Sequence, residues 1–288
     1  MKRTLIIAFA VLGQALAIPV AAHDTFVCWA PKTTTPALTA SVTDYWTDER
    51  QKQAIPLFDG TPPKGGRKAD DLEAAQPADV TKDPYKRGGK LYFSMAGHDY
   101  VASAQFVDDR ILLTAAHAIW KGADASTNII FKRAYNGGGG TIFTVDLAAV
   151  LRTWVPISAD RPSAARSNND YAVLRVTKDS DGGKFAIARS TDFLSAVMMG
   201  YPAALQGGQY MYSQPVSNLV GLTASGLVGV PFNLSPGASG GAWFIDDASL
   251  GYPLVSVVSS FWGENAVTGP MMTTTTTDMI AYVKGGCP

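Results

Sequence analysis

The sequence predicts an all-β fold, and three observations carry that reading. Apolar runs between residues 91 and 275 are short and are broken by Gly, Asp and Asn instead of recurring at helical spacing. Turn formers are frequent, with 28 Gly and 17 Pro in 288 residues. Helical patterning is confined to two brief places, around residues 115–119 and 278–284. A chain of this length holds one large domain or two small ones, at roughly 100 to 200 residues each. Basic and acidic residues both number 24, which excludes nucleic-acid binding through a basic surface. A composition 47% hydrophobic and 17% charged excludes wholesale disorder. With three histidines and two cysteines, there is little scope for a metal centre, and no metal or other cofactor is expected.

Read in order, the chain begins with an export pattern. Lys2 and Arg3 precede an apolar run over residues 5–20, and the small residues Ala21 and Ala22 follow, as in a signal peptide over 1–22. The run is short for a membrane span and Pro19 would break it, so no membrane contact is expected once the signal is removed. The expected location is secreted or periplasmic, and the expected state is a monomer. In an oxidising compartment Cys28 and Cys287 are expected to pair, two separate thiols being the alternative. Residues 23–87 are rich in Pro, Thr, Lys and Asp with little periodicity, which reads as an extended arm or a pro-segment. Tyr45, Trp46, Leu57 and Phe58 are the side chains suited to dock it onto the main body.

From Gly88 the texture changes to strands. They are expected at 91–95, 100–107, 111–114, 129–132, 141–151, 171–176, 196–201, 216–222, 242–245, 254–261 and 271–275. The glycine run 137–140 lacks the Lys-Ser/Thr of a phosphate loop and reads as a hairpin tip. The threonine run 273–277 reads as strand because Thr is β-branched.

The segment richest in chemistry is Ser235-Pro236-Gly237-Ala238-Ser239-Gly240-Gly241. A serine between glycines in a tight loop exposes its hydroxyl, while the N–H groups of Gly237 and Ser239 can aim at one developing oxyanion. A Gly-rich turn between strands has the same composition. Such a serine needs a base, usually histidine. His23 falls at the mature N-terminus and His98 in a hairpin turn, whereas His117 follows a strand among small residues that would present its ring to a cleft. A histidine satisfied within the core is the alternative. Asp170 stands directly before the apolar run 171–176, where a carboxylate needs a partner such as an imidazolium, or else opens the strand as an Asx turn.

At these residues the chain resembles the chymotrypsin-like (trypsin-fold) serine peptidases, nearest to the secreted bacterial and fungal branch close to the glutamyl endopeptidases. Thr114-Ala115-Ala116-His117, Asn169-Asp170-Tyr171-Ala172 and Gly237-Ala238-Ser239-Gly240-Gly241 carry the likeness, in the family order His, Asp, Ser. The resemblance spans 88–288 and implies two six-stranded antiparallel β-barrels, about 88–190 and 193–288, with a short C-terminal helix. It also implies a serine endopeptidase acting on proteins or peptides, with Ser239 as nucleophile, His117 as general base and Asp170 as the acid that orients it. Gly237 and Ser239 would supply the oxyanion N–H groups.

The chain departs from the family in ways that carry meaning. Ala238 stands where digestive relatives carry an Asp for a freshly cut N-terminal amine, and no Ile-Val-Gly-Gly start occurs near Gly88. Any removal of 23–87 is therefore expected to act by unmasking the cleft. The family's cysteines near the histidine give way to Ser103 or its neighbours and to Ala118. By position Asn233 falls at the floor of the primary pocket, with Ser259, Ser260 and Phe261 on its wall, which favours small or medium apolar side chains over basic ones. No histidine occurs in the 49 residues after Ser239, so the acidic selectivity of glutamyl-specific relatives cannot arise by their device. That absence also excludes the α/β-hydrolase order Ser, acid, His, and the order Asp, His, Ser of subtilisins is not met either. The alternative from another class is a catalytically inactive binding protein on the peptidase fold.

Overall fold

The computed structural model describes residues 22–31, 36–57, 59, 75–188, 195–217, 220–222, 227–230, 236–262 and 266–288. Asn233 and all but the last residue of the expected export signal lie outside them. Among the described residues, no helix is long and apolar enough to cross a membrane.

Six strands close into a barrel in the first half. Thr141–Leu151 pairs with Ala172–Val176, which pairs with Ile111–Thr114, then His98–Asp108, Gly88–Met95 and Thr127–Arg133, and this last strand returns to Thr141–Leu151. Inward positions are aromatic or branched: Phe106 meets Phe131 and Phe143 edge-on, with ring centroids 5.4 and 5.1 Å apart. The glycine run 137–140 is the turn between Thr127–Arg133 and Thr141–Leu151, as expected. In the second half, Leu254–Val257, Ala242–Phe244, Ser195–Gly200 and Tyr212–Ser217 form one sheet, which Gln76–Pro77 extends. Val220–Leu222, Leu227–Val230, Ala266–Pro270 and Ser260–Trp262 form another.

The described part of residues 23–87 is less extended than its composition suggests. Phe26–Trp29 adds to the barrel sheet against Thr141–Leu151, and Ile55–Pro56 lies parallel to His98–Asp108. Two helices, Pro36–Tyr45 and Asp48–Gln53, occupy the stretch between. Val42 and Trp46, one helical turn apart, are buried against Tyr92 and Ile130, and the Trp46 indole donates to the Asn128 carbonyl. Tyr45 OH donates to Asp99 at 2.7 Å as well, and these few contacts are too sparse a signal for periodicity to reveal.

The threonine run is a correction. Thr274–Lys284 is an α-helix, so 273–277 is a helix start and not a strand. Threonine hydroxyls form a reciprocal capping box between Thr273 and Thr276, satisfying amides that the first turn leaves unpaired, and this outweighs β preference. Met279, Tyr282 and Val283 then pack the helix on the main core. Its end brings Cys287 to Cys28, and the two are joined as a disulfide with Cα atoms 6.3 Å apart.

Candidate active site

The antiparallel register of two barrel strands explains how His117 and Asp170 meet. Thr114, the last residue of its strand, lies opposite Ala172, the first of the next. His117 comes three residues after Thr114 and Asp170 two before Ala172, so both emerge at the same rim of the barrel. The chain coils into a 3-10 turn at Ala116–Ala118, where small side chains permit tight packing. Imidazole Nδ1–H donates to Asp170 Oδ2 at 2.7 Å, and the His117 backbone N–H donates to Asp170 Oδ1 at 2.8 Å. The Ser259 hydroxyl donates to Oδ2 at 2.5 Å. His117 is 1% exposed and Asp170 0%, so solvent does not compete for these bonds.

Burial strongly opposes charge on both groups, and their mutual attraction overcomes it. For His117, burial lowers the pKa, but the Asp170 carboxylate and its hydrogen bond outweigh this and the pKa is raised. For Asp170, burial raises the pKa, but His117 and the donors from His117 and Ser259 hold it below the usual carboxylate value. Imidazole Nε2 is buried without a hydrogen-bond partner. Nδ1 is thus committed to orientation, and Nε2 is left with capacity for a proton.

Ser239 lies in the turn 236–241, which is pinned to both halves of the molecule. Its carbonyl accepts from Ser103 N–H at 2.8 Å, and the Ser103 hydroxyl donates to the Gly237 carbonyl at 2.9 Å while accepting from Tyr201 N–H at 3.1 Å. Ser103 thereby ties the barrel to the loop. Gly237 and Gly240 have φ of 93° and 79°, values that L side chains rarely adopt. A Cβ at Gly237 would lie 2.6 Å from the Tyr201 carbonyl oxygen, so the turn has room for glycine alone there.

Residues 55–57 and Asp59 lie beside the turn that carries Ser239. Leu57 N–H donates to the Val101 carbonyl at 2.8 Å, and the Leu57 carbonyl accepts from Gly237 N–H at 2.9 Å. The Ser239 hydroxyl also donates to that carbonyl, at 3.4 Å. One of the two donors expected for an oxyanion therefore already holds a peptide oxygen. Leu57 and Trp46 dock as expected, and Phe58 lies outside the described residues. Beyond it, Asp59 forms a bidentate ion pair with Arg166.

The remaining sequence candidates fall as follows. The Ser259 hydroxyl is turned toward Asp170, and the Ser260 hydroxyl is 2.7 Å from that of Ser167. The Phe261 side chain, like Asn233, is outside the described residues. Ligand atoms of Asp59, His117 and Asp170 lie within 4.8 Å of one another, the arrangement a cation would require. However, Asp59 is held by Arg166 and Asp170 already accepts three hydrogen bonds, so their oxygens are already committed to other partners. Sequence reading missed Arg166 and Asp59. A charged residue four positions before Asp170 was the available signal, but nothing local distinguishes it from a surface arginine.

Residues 102–250 match the model of a trypsin-like peptidase domain. Among solved structures, the chain is similar to protease Anisep from Arthrobacter nicotinovorans, with 25% identity and a TM-score of 0.59, over 73% of this chain and 99% of that one. A thermostable serine protease from an extremophilic microorganism shares the fold at 23% identity and a TM-score of 0.56, over 70% of this chain and 98% of that one. A Glu endopeptidase shares it at 15% identity and a TM-score of 0.56, over 80% of this chain and 100% of that one. A search of curated proteins found no match.

Proposed function

The chain belongs to the trypsin-like peptidases, a family of serine endopeptidases, and from that premise we propose that it is exported and hydrolyses peptide bonds through Ser239, His117 and Asp170. The observation that carries this reading is the Leu57 carbonyl, a peptide oxygen held by Gly237 N–H beside the Ser239 hydroxyl.

In the proposed reaction His117 Nε2 takes the Ser239 proton as Oγ attacks the substrate carbonyl. The N–H groups of Gly237 and Ser239 stabilise the oxyanion, and the Asp170 carboxylate stabilises the imidazolium. His117 then gives its proton to the leaving amine, and water repeats the sequence on the acyl-enzyme. Substrates with small or medium apolar side chains would suit a pocket bounded by Asn233, Ser259, Ser260 and Phe261.

Residues 1–22 act as the export signal in this reading, 23–87 as a pro-segment, and 88–288 as the catalytic body. The disulfide between Cys28 and Cys287 supports export to a secreted or periplasmic location. With the arm docked the enzyme is latent, because Leu57 occupies the position of a substrate carbonyl. A cut after Asp59 would leave the arm's first part tethered through Cys28 and paired through Phe26–Trp29, so activation needs displacement as well as cleavage.

The test is labelling by a serine-directed phosphonate followed by peptide mass mapping. It compares the signal-free chain with the same chain carrying glycine and serine in place of residues 55–59. Label at Ser239 in the second protein, absent after Ser239→Ala, is the expected result. No label there, under conditions that modify a control peptidase, would leave an inactive binding protein on this fold.

A further inference from the structure

Arg166 lies buried beside the His117 and Asp170 pair, and the catalytic body fixes its guanidinium without help from the arm. Nε–H donates to the Ile157 carbonyl at 3.2 Å and an Nη2 hydrogen to the Ser158 carbonyl at 2.7 Å. The guanidinium carbon lies 4.7 Å from the centroid of the Trp154 ring, which supports the plane from one side. A guanidinium carries five N–H donors in a rigid fork. These two carbonyls leave an edge that matches a carboxylate bidentately.

That edge is occupied by Asp59, with Nη1 donating to Oδ2 and Nη2 to Oδ1 at 3.1 Å. The Arg166 and Asp59 side chains are only 2% and 5% exposed. Asp59 belongs to the segment that lies across the cleft. Two residues earlier the Leu57 carbonyl rests on Gly237 N–H, and the Asp59 carboxylate lies within 4.8 Å of a carboxylate oxygen of Asp170 and a ring nitrogen of His117. The ion pair is therefore a contact between the body and the occupant of the cleft, made beside the groups proposed to react.

We propose that Arg166 is a carboxylate-binding subsite of the cleft, filled by Asp59 while the arm is docked. It directs the enzyme to substrates bearing Asp or Glu within two positions of the scissile bond. This rests on the peptidase reading above and adds to it the chemistry of the substrate. Displacement of the arm removes the carboxylate from the guanidinium fork. A buried charge without its partner is strongly disfavoured, so a substrate carboxylate that restores the fork gains over an amide of the same shape. No histidine after Ser239 is needed for such selectivity.

The deciding experiment uses the full chain with Ser239→Ala and with residues 55–59 replaced by glycine and serine. This chain is titrated calorimetrically with the seven-residue peptide Ala-Ile-Pro-Leu-Phe-Asp-Gly, which copies residues 54–60, and with its Asn counterpart. Binding of the Asp peptide at least tenfold tighter than the Asn peptide supports the subsite, and Arg166→Met should abolish the difference. Equal affinity, or no binding of either peptide to a chain that melts cooperatively, overturns it. A second measurement needs no variant: cut sites made in a denatured proteome by naturally processed, secreted enzyme should show Asp or Glu enriched at one fixed position within two residues of the cut. Cutting without that enrichment overturns the subsite and leaves the peptidase reading intact. No cutting and no phosphonate label would sink the peptidase reading, while the titration still decides whether Arg166 binds a carboxylate.

Discussion

The two sides of the cleft differ in how they are completed. On the barrel side, His117 and Asp170 satisfy each other, and Ser259 from the second half supplies the third bond, so every donor comes from the body of the protein. On the opposite side, Gly237 N–H and the Ser239 hydroxyl direct their hydrogen bonds to Leu57, a residue of the arm. The hydrogen bonds of the first side stay within the body, whereas those of the second run to the arm, so only the second depends on where the arm lies.

The largest effect is expected where both sides are joined. Gly240→Ala places a Cβ 2.5 Å from the Ser103 carbonyl oxygen and 2.8 Å from the Ala115 nitrogen, at a φ that disfavours any side chain. A loss of roughly 3 kcal/mol of stability or more is expected, measured as the denaturant midpoint. A variant as stable as the parent would show that the junction yields more readily than its contacts imply.

Replacing residues 55–57 with glycine and serine, which leaves the Asp59–Arg166 pair in place, should change the Ser239 side of the cleft. Phosphonate labelling at Ser239 is expected to accelerate about tenfold or more, since the reactive state no longer competes with the docked arm. An unchanged rate would mean that Leu57 does not block the hydroxyl.

Ser259→Ala sharpens the barrel side. Removing one donor from a buried carboxylate should cost about 1 to 3 kcal/mol near neutral pH. The Asp170 pKa is depressed in the folded state, so its stabilising contribution is present above the unfolded carboxylate value and is lost as pH falls through the folded one. The difference between variant and parent should accordingly shrink in acid, as thermal melts across pH will show.

The smallest effect concerns the pH profile. His117 must be neutral to act as a base and its pKa is raised, so activity should rise with pH around a midpoint above the ordinary imidazole value of about 6.5. Its stabilising charge is conversely present below that ordinary value and is lost as pH rises through the raised one. Asp59 contributes to the raising while the arm is docked, so Asp59→Asn in the docked chain should move the imidazole titration, followed by NMR, downward. A midpoint that stays fixed would place Asp59 too far from the ring to matter.

Much of the fold was legible because its signals are local. Short apolar runs and turn residues marked nearly every strand of the first barrel, and the C-terminal helix followed from its apolar spacing. The threonine run misled because β-branching and hydroxyl capping are opposite tendencies of the same side chain, and position at a helix start decides between them. The helices of the arm were hidden because their anchors are few and irregularly spaced, Val42 and Trp46 by burial and Tyr45 and Arg50 by bonds to Asp99.

By itself the sequence determined the inventory of the site: one serine in a glycine turn, one histidine after a strand, one aspartate before another, and their order along the chain. Tertiary structure alone decided that Ser103 would bridge the two halves, that Ser259 would serve Asp170, and that Leu57 and Asp59 would lie across the cleft. The physical reason is separation. Leu57 is 182 residues from Ser239 and Asp59 is 107 from Arg166, and no periodicity records which distant groups will share a buried space. Burial is what gives those contacts their force, since a carbonyl on Gly237 or a carboxylate on Arg166 matters only where water has been excluded.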